Sequence, residues 1–476
     1  MPVCYWKHSS FRMFGYKVFG VSFKNSRLIY KVLGLPVWSY ESELAQLLAD
    51  VSESRSFDMR EIDQQIEKLA FKSCDVKPMK AGSHNRVAYL ASELYVSGGH
   101  TKCLREQIKL LKDDYEQGLF LTRYTTTKAG SQSVLDSIAE DAEICGEELT
   151  HITWKKDIIN LYHKICHYAP KVLFVFIHPD DVYGAMLLAL LKKNSDIGIL
   201  YVLHASHFPN VGLSFSDLSL EGMPSTAWMT REQRKYLRTH VLGLVSKKIE
   251  DFPRFAPEQI AARKKMLGVR EGEICTMSGG AAYKFFDAED CSEYFQTVKK
   301  MLEARPHVRH VILSDFSEKQ TAWIEKLFAG SAVRERLVLS PLSPTYELSF
   351  SCADVFLDSF PISAALTMID LMRLRVPAVV KINTQNILWT FHEYQKPDYP
   401  YMFEKAEAFL EGALRLIDSE AERKRVAEEN YDFYLSTYEG NACRKHLCTL
   451  IESHDDLGRC IDDVPALFTP RIQKQA

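Results

Sequence analysis

The sequence predicts an α/β protein of two consecutive doubly wound domains that face a central cleft. A chain of 476 residues is too long for one ordinary core, since domains average roughly 150 residues. From residue 81 onward, short apolar runs alternate with amphipathic helices, the pattern of a parallel sheet covered on both faces. The alternation occurs twice, on either side of a polar helical bridge at 231–267. The predicted bounds are 1–80 for an N-terminal segment and helix, 81–250 and 251–440 for the two domains, and 441–476 for a C-terminal helix and tail.

Composition argues against several classes of protein. Hydrophobic residues make up 46% of the chain and charged residues 25%, with a net charge of −3, so no overall positive field favours nucleic acid. The eleven cysteines are scattered from Cys4 to Cys460 without a Cys-x-x-Cys pair, which indicates reduced thiols in a cytoplasmic protein. The start lacks the pattern of a secretory signal. No run approaches the ~18 uncharged apolar residues of a membrane span.

The first forty residues have a composition of their own. Six lysines and arginines precede the first acidic residue, Glu41, and aromatic residues are interleaved with them. The segments that begin at Tyr16 and Tyr30 repeat each other, which predicts a hairpin with its turn at 24–27. Two interpretations of 1–40 remain open. It either packs on the main body or rests on an anionic membrane surface, on the inner face of the cytoplasmic membrane.

The first domain is predicted to follow a polar helical stretch at 42–71 and a loop at 75–85. Its predicted strands are 87–91, 119–123, 172–178 and 197–204. Its predicted helices are 101–111, 131–144, 158–167 and 185–193.

The second domain repeats the alternation. Its predicted strands are 274–277, 308–314, 336–340, 355–357 and 378–380. Its predicted helices are 292–304, 319–328 and 367–374. Ligands of open α/β sheets bind beyond the carboxyl ends of the strands, so two such sheets would present those ends across one groove.

Two segments of the second domain could bind an anion. After strand 274–277 come Ser278, Gly279 and Gly280, whose backbone amides can approach a phosphate, and then Lys284. Such a turn is also common as a purely structural element. A second strand ends at Asp358, and a loop of small residues follows it. A helix is expected to open near 363 and to leave its first amides free for a pyrophosphate.

Asp370 lies in the first part of that helix. A carboxylate at this place can accept both hydroxyls of a ribose, which a nucleotide site needs. The alternative interpretation is an ordinary strand–helix turn that carries a solvated aspartate.

The segment 357–379 resembles the donor loop of glycosyltransferase family 41, the O-GlcNAc transferase family. The family pattern is Leu-Asp-Thr-Pro, a small-residue loop ending in His-Thr-Thr-Gly, an aspartate, then Gly-x-Pro. Upstream, 336–344 and 353–358 are similar to the family's Ser-Pro-x-x-Pro and Ala-Asp-x-x-Leu-Asp, and 283–285 falls where the family carries its essential lysine. The resemblance implies the GT-B fold, in which two Rossmann-like domains face each other.

The resemblance also implies roles for residues. Lys284 would neutralise the leaving diphosphate and Asp370 would hold the ribose of the donor, with a UDP-sugar favoured. The transfer would be inverting and would need neither a metal nor a cofactor besides the nucleotide sugar, because a lysine and a helix end supply the positive charge. The remaining donor-binding candidates are Gly98, Gly99, His100, Ser278, Gly279, Gly280, Ser340, Leu342, Ser343, Ser363, Ala364, Ala365 and Thr367.

The sequence departs from the family at three points. His-Thr-Thr-Gly is replaced by the segment from Ala365 to Met368, and the lysine after Ser-Pro-x-x-Pro is Thr345. These changes affect base and sugar selectivity. The superhelical repeats that present protein acceptors in eukaryotic members are missing.

The first domain supplies candidates for the general base. The segment 86–101 looks like the first strand and glycine-rich turn of GT-B enzymes, where His100 is either a cleft residue or a helix cap. The stretch at 204–208 resembles the His-Ala-Asp-His of bacterial surface-glycan transferases. A base must titrate near neutrality and reach the acceptor hydroxyl. The sequence leaves four candidates unranked, which are His204, His207, Asp180 and Asp181.

His163 and His167 share a helix face. They lack the intervening glutamate and the third ligand of a zinc site, so a surface or packing role is expected.

These features predict transfer of a sugar from a nucleotide-diphosphate donor to a glycan or lipid-linked glycan, in bacterial surface polysaccharide synthesis. The repeated leader at 16–21 and 30–36 also looks like leaders of such transferases. Two alternatives remain open. One is a protein glycosyltransferase that modifies an adhesin or another polypeptide, and the other is an inactive GT-B module that binds glycan or acts as a scaffold. An epimerase of the same fold fits the position of the lysine less well.

Overall fold

The computed structural model describes the chain in sixteen stretches, and for those before residue 43 it describes the backbone only. They are 4–7, 10–13, 16–24, 27–32, 35–41, 43–79, 85–96, 99–150, 152–206, 208–243, 245–288, 291–341, 346–364, 366–382, 394–396 and 398–453. Within these residues, one compact unit contains the chain up to 243 together with 446–453, and a second contains 245–445.

The N-terminal segment forms an antiparallel sheet in which the strands follow each other in chain order. Its strands are β1 (Cys4–Lys7), β2 (Ser10–Met13), β3 (Tyr16–Lys24), β4 (Arg27–Val32) and β5 (Leu35–Glu41). The predicted hairpin is β3 with β4, and Lys24 lies opposite Arg27. Two helices follow, α1 (Glu43–Glu53) and α2 (Arg60–Ser73), and α1 contacts β4 and β5.

The first unit is built on a seven-stranded parallel sheet in the order β12-β11-β10-β9-β6-β7-β8. Its strands are β6 (Arg86–Ala91), β7 (Glu116–Leu121), β8 (Glu143–Gly146), β9 (Val172–Phe176), β10 (Gly198–Val202), β11 (Leu218–Glu221) and β12 (Thr239–Val241). Its helices are α3 (Gly99–Leu111), α4 (Tyr124–Ala139), α5 (Trp154–Tyr168), α6 (Val182–Asn194) and α7 (Pro224–Glu232).

The second unit is built on a six-stranded parallel sheet in the order β15-β14-β13-β16-β17-β18. Its strands are β13 (Ile274–Gly279), β14 (Val308–Leu313), β15 (Leu337–Ser340), β16 (Val355–Leu357), β17 (Ala378–Lys381) and β18 (Met402–Phe403). The helices are α8 (Pro257–Met266), α9 (Glu293–Ala304), α10 (Glu318–Phe328), α11 (Tyr346–Phe350), α12 (Thr367–Arg373), α13 (Ala406–Asp418), α14 (Glu420–Thr437) and α15 (Gly440–Glu452), which runs from this unit into the first.

The central strands are buried along their length. All residues of β9 and β14 are buried, as expected for strands of a parallel sheet with both faces covered. Helix α6, which follows β9 along the chain, has nine buried residues and is apolar on nearly all sides. This burial explains why the central strands were readable from apolar runs alone.

Three predictions of secondary structure are wrong. The helix predicted over 131–144 ends at Ala139, and β8 begins at Glu143. The predicted helical bridge at 231–267 instead contains β12, a short strand at the sheet edge, before α8 begins. The helical stretch at 42–71 is two helices with a break at 54–59. Edge strands of three or four residues bury too little surface to impose a two-residue period, so their sequences do not reveal them.

Among the described residues, no helix combines the length and the apolar content that a membrane span requires. The cysteines whose side chains the structure describes, from Cys74 to Cys448, are free thiols.

A buried histidine lies within the second parallel sheet. His310 in β14 is completely buried, with Nδ1 2.9 Å from the Thr276 hydroxyl and Nε2 2.9 Å from the Tyr294 hydroxyl. Burial lowers the pKa of His310 to about 3. The imidazole is therefore neutral in the folded protein throughout the physiological range.

We expect His310 to make the fold sensitive to acid. Between pH 6.5, the ordinary pKa of an imidazole, and about 3, the His310 imidazole binds a proton in the unfolded chain but not in the folded chain. Relative to His310→Gln, the wild type should then lose about 1.4 kcal/mol of unfolding free energy for each pH unit below 6.5. Urea unfolding of both proteins at pH 7.5, 6.0 and 5.0 measures this difference. His307→Gln is the control, because His307 is exposed. If the unfolding free energies of the wild type and His310→Gln change equally with pH, the expectation is wrong.

Candidate functional site

Each parallel sheet has one point where the strand order reverses. In the first sheet this switch point lies between β6 and β9, and in the second it lies between β13 and β16. Helices on either side of a switch point cover opposite faces of the sheet, which leaves a crevice at the carboxyl ends of the two strands. The residues predicted to carry chemistry follow these four strands, or their neighbours, at the carboxyl edge.

At the second switch point, Lys284 and the loop after β16 are joined directly. Lys284 lies in a short 3₁₀ turn, Ala282–Phe285, immediately after β13. Its ammonium donates to the Ser363 carbonyl oxygen at 3.0 Å, and its own carbonyl accepts from the Ile362 backbone N–H at 3.4 Å. The cation and the small-residue loop therefore meet at one place.

A buried carboxylate lies behind this loop. Asp358 is completely buried, and its Oδ1 accepts the Ala364 backbone N–H at 2.7 Å. Burial raises the pKa of Asp358 to about 6. Burial also lowers the pKa of Lys284, and the charge of Asp358 opposes that decrease. The lysine is thus a partly desolvated cation with a counter-charge on its inner side, an arrangement that gives it a stronger field than an exposed lysine has.

The turn after β13 is tightly packed. A Cβ on Gly279 would lie 2.7 Å from the Phe350 ring, and Gly280 has a φ of +151°, so each position requires glycine. The buried Ser278 hydroxyl donates to the Leu357 carbonyl at 2.6 Å and joins β13 to β16. The Ser278 side chain therefore holds the two strands together.

The helix after β16 begins later than 363. Helix α12 begins at Thr367, and Ser363 and Ala364 are buried in the loop before it. Their position follows from the bonds to Lys284 and Asp358. The expectation that a helix opens at 363 with a free amide at 364 is wrong, because the Ala364 N–H is already bonded to Asp358.

Other donor-binding candidates take different positions. Ser340 ends β15, and its carbonyl accepts the Ser314 N–H at 2.9 Å. Asp370 lies on α12, where its Oδ2 accepts the Tyr346 hydroxyl at 3.3 Å. The candidates outside the described residues are Gly98, His207, Leu342, Ser343 and Ala365.

At the first switch point, aromatic rings and imidazoles form a cluster. The His100 ring stacks on His204 with centroids 5.1 Å apart, and it meets the His178 ring edge-on at 5.9 Å. Tyr95 stacks on His178 at 5.8 Å, and its hydroxyl donates to Glu93. The chain segments after β6, β9 and β10 thus bring three imidazoles together at one edge of the sheet.

Burial keeps two imidazoles of this cluster neutral. Burial lowers the pKa of His100 and of His178, and the nearby Arg123 lowers the pKa of His178 further. Both rings are therefore neutral near pH 7 and able to accept a proton.

The two aspartates after β9 differ in their surroundings. Asp181 is buried, and its Oδ2 accepts the hydroxyls of Ser92 and Thr122, the latter at 2.7 Å. Its Oδ1 accepts the Gly184 N–H at 2.9 Å and caps α6. These bonds favour a structural role for Asp181. Asp180 is exposed.

The loop after β10 is held by two buried charges. Arg234, which is 3% exposed, donates to the Phe208 carbonyl at 3.1 Å. Asp63 on α2 accepts the Gly212 N–H at 2.7 Å and the Ser214 N–H at 3.2 Å. Burial raises the pKa of Asp63 to about 6. The loop that begins at His204 is thereby fixed by residues that lie outside the strands.

Sequence reasoning missed several residues of these two sites. Glu93 and Tyr95 follow the end of β6, and a position after a strand end is a sequence signal for a site residue. Arg123 gave the same signal, because it follows the end of β7. Arg234 and Tyr346 gave none, because only the fold brings them close to the site.

Among the described residues, no group of three or more histidine, cysteine, aspartate or glutamate side chains is placed to hold a metal ion.

The chain is similar in fold to solved glycosyltransferases. A glycosyltransferase from Rickettsia africae matches with a TM-score of 0.60 at 12% identity, covering 79% of this chain and 100% of that one. HepE from Anabaena, in complex with UDP and glucose, matches with a TM-score of 0.56 at 12% identity, covering 78% and 100%. An O-GlcNAc transferase mutant from Thermobaculum terrenum matches with a TM-score of 0.52 at 16% identity, covering 87% and 78%.

These likenesses establish the fold, two parallel-sheet α/β domains of the GT-B type, as the sequence predicted. No protein-family model matches the chain, and no curated protein matches it in sequence.

Burial is the largest cause of the lowered pKa of His178, and the positive charge of Arg123 is the second. Arg123→Gln is therefore expected to raise the pKa of His178. The pKa of His100 should change much less, since Arg123 is not among the groups that act on it. An NMR titration of the imidazole signals measures both values in one sample. Arg123→Lys keeps the charge and serves as the control. Equal shifts of the two rings, or no shift of His178, would refute this electrostatic coupling.

Proposed function

We propose that this chain is a glycosyltransferase that moves a sugar from a nucleotide-diphosphate donor, with a UDP-sugar favoured, to a glycan or lipid-linked glycan. Bacterial surface polysaccharide synthesis is the process that we infer. One observation carries the proposal. The ammonium of Lys284 lies 3.0 Å from the Ser363 carbonyl, at the switch point between β13 and β16, where α/β sheets bind their ligands.

Lys284 is suited to a leaving diphosphate. In an inverting transfer, the acceptor oxygen forms a bond to the anomeric carbon while the bond from that carbon to the diphosphate oxygen breaks. The electron pair of the broken bond goes to the diphosphate, whose negative charge rises. An ammonium has three N–H donors, so the bond to Ser363 leaves capacity for diphosphate oxygens. Partial burial strengthens its attraction to that charge.

The proton of the acceptor hydroxyl must go to a base. We keep His204, His207 and Asp180 as candidates, and the bonds of Asp181 make that residue the weakest of the four. The His100 and His178 rings next to His204 join them, because burial keeps both neutral. A neutral imidazole can accept the proton at the pH where the enzyme would work.

The comparisons agree with a UDP-sugar donor. HepE shares the fold and was solved with UDP and glucose, and another of its structures contains UDP-glucose. The charge that we propose to neutralise the diphosphate is the Lys284 ammonium, so the transfer is inferred to proceed without a metal ion.

Lys284→Ala is expected to weaken UDP binding about ten- to a hundredfold, the usual effect of removing a hydrogen bond to a charged group. Isothermal titration calorimetry with UDP in the presence of EDTA measures the affinity and tests metal independence at the same time. Lys284→Arg should retain more affinity than Lys284→Ala, because it keeps the charge.

Lys300→Ala is the matched control, since Lys300 is exposed on α9. It should bind UDP like the wild type. If Lys284→Ala and Lys300→Ala bind alike, the assignment of Lys284 is wrong. If the wild type does not bind UDP or another nucleoside diphosphate, the chain is better described as an inactive scaffold.

We infer that residues 1–40 contact an anionic membrane surface, because six basic residues in this segment are interleaved with aromatic residues. Replacing those six lysines and arginines by glutamine should abolish cosedimentation with vesicles that contain phosphatidylglycerol. Deletion of 1–40 should do the same. Binding of the wild type should also decrease as salt is added, since salt screens the attraction. Cosedimentation that is unchanged by the substitutions would contradict a membrane role.

A further inference from the structure

The Asp370 carboxylate is held on two sides by residues that the family resemblance did not point to. The Tyr346 hydroxyl on α11 donates to its Oδ2 at 3.3 Å. Arg373, one turn further along α12, has its Nη2 3.7 Å from Oδ1. The carboxylate therefore has a fixed orientation rather than the free rotation of a solvated side chain.

Arg373 is itself rigidly placed. Its side chain is 4% exposed, and its Nη2 donates to Glu347 Oε1 at 2.7 Å. Its guanidinium lies 3.7 Å from the centre of the Phe252 ring, within the range of a cation–π contact. A planar guanidinium fixed by these two partners can hold the Asp370 carboxylate in place at a small further loss of entropy.

Asp370 keeps capacity for a ligand. A carboxylate offers about four acceptor positions, and Tyr346 occupies one, while the Arg373 contact at 3.7 Å is an ion pair rather than a short hydrogen bond. The Asp370 side chain is 14% exposed. It is thus partly reachable and held still, which suits an acceptor for two neighbouring hydroxyls.

We propose that Tyr346 and Arg373 are positioning residues that orient Asp370 to accept the ribose hydroxyls of the nucleotide donor, so that the site selects ribonucleotides. This inference rests on the proposed function. It adds two residues that bind no part of the donor themselves and act through Asp370.

A purely structural role for the same contacts makes a different prediction. If Tyr346 only held α11 against α12, its loss would affect every ligand of the second unit alike. If it orients Asp370 for the ribose, its loss matters only for ligands that have the ribose hydroxyls.

The experiment is calorimetry with UDP and with 2′,3′-dideoxy-UDP, for the wild type, Tyr346→Phe, Arg373→Lys, Asp370→Asn and Lys284→Ala. We expect the wild type to prefer UDP about tenfold or more, since hydrogen bonds to a charged group are at stake. Tyr346→Phe and Arg373→Lys should weaken UDP binding about threefold or more and leave the dideoxy ligand unchanged. Asp370→Asn should remove most of the preference, and Lys284→Ala should weaken both ligands.

Tyr401→Phe is the matched control, because the Tyr401 hydroxyl also donates to a carboxylate, Glu422 Oε1 at 2.8 Å, elsewhere in the same unit. It should change neither affinity, and a thermal melt of each variant verifies folding. If Tyr346→Phe weakens both ligands equally, or neither, the inference is overturned, while the proposed function stands as long as Lys284→Ala weakens UDP. If the wild type binds neither ligand, the proposed function fails and this inference fails with it.

Discussion

The partly buried ammonium of Lys284 is the constraint on which the second switch point depends. A cation taken out of water needs compensation from acceptors and counter-charge, and here the Ser363 carbonyl and the Asp358 carboxylate provide it. Those same contacts keep 363 and 364 out of the following helix. The Lys284 bond to Ser363 and the Asp358 bond to Ala364 therefore link this desolvated charge to the position of the loop before α12.

Both units place a buried aspartate after a strand at the switch point. In each sheet, the strand on the far side of the switch point is followed by a buried aspartate, Asp181 after β9 and Asp358 after β16. Each accepts a backbone N–H of the chain that follows, from Gly184 or from Ala364. A buried carboxylate is costly unless such donors surround it, so both aspartates fix the shape of the crevice at which they lie.

The architecture was largely predictable from the sequence, and the site was predictable in part. Central strands reveal themselves through apolar runs, and motifs at strand ends pointed to Lys284 and to the loop after β16. What the sequence could not reveal are partners far apart along the chain. Ser92 bonds to a carboxylate 89 residues away, and no local pattern records that contact. The short edge strands β8 and β12 escaped prediction for a related reason, since pairing with a neighbour defines them more than their own residues do.

Asp63 connects the N-terminal helices to the loop after β10 through the backbone N–H groups of Gly212 and Ser214. Helix α2 is therefore a part of the first unit's architecture, although it contributes no strand to the sheet. Chimeras that exchange the first unit with that of another protein of this fold would have to take α2 along with the sheet. A boundary drawn just before β6 would leave two loop amides without their acceptor, in the loop that begins at His204.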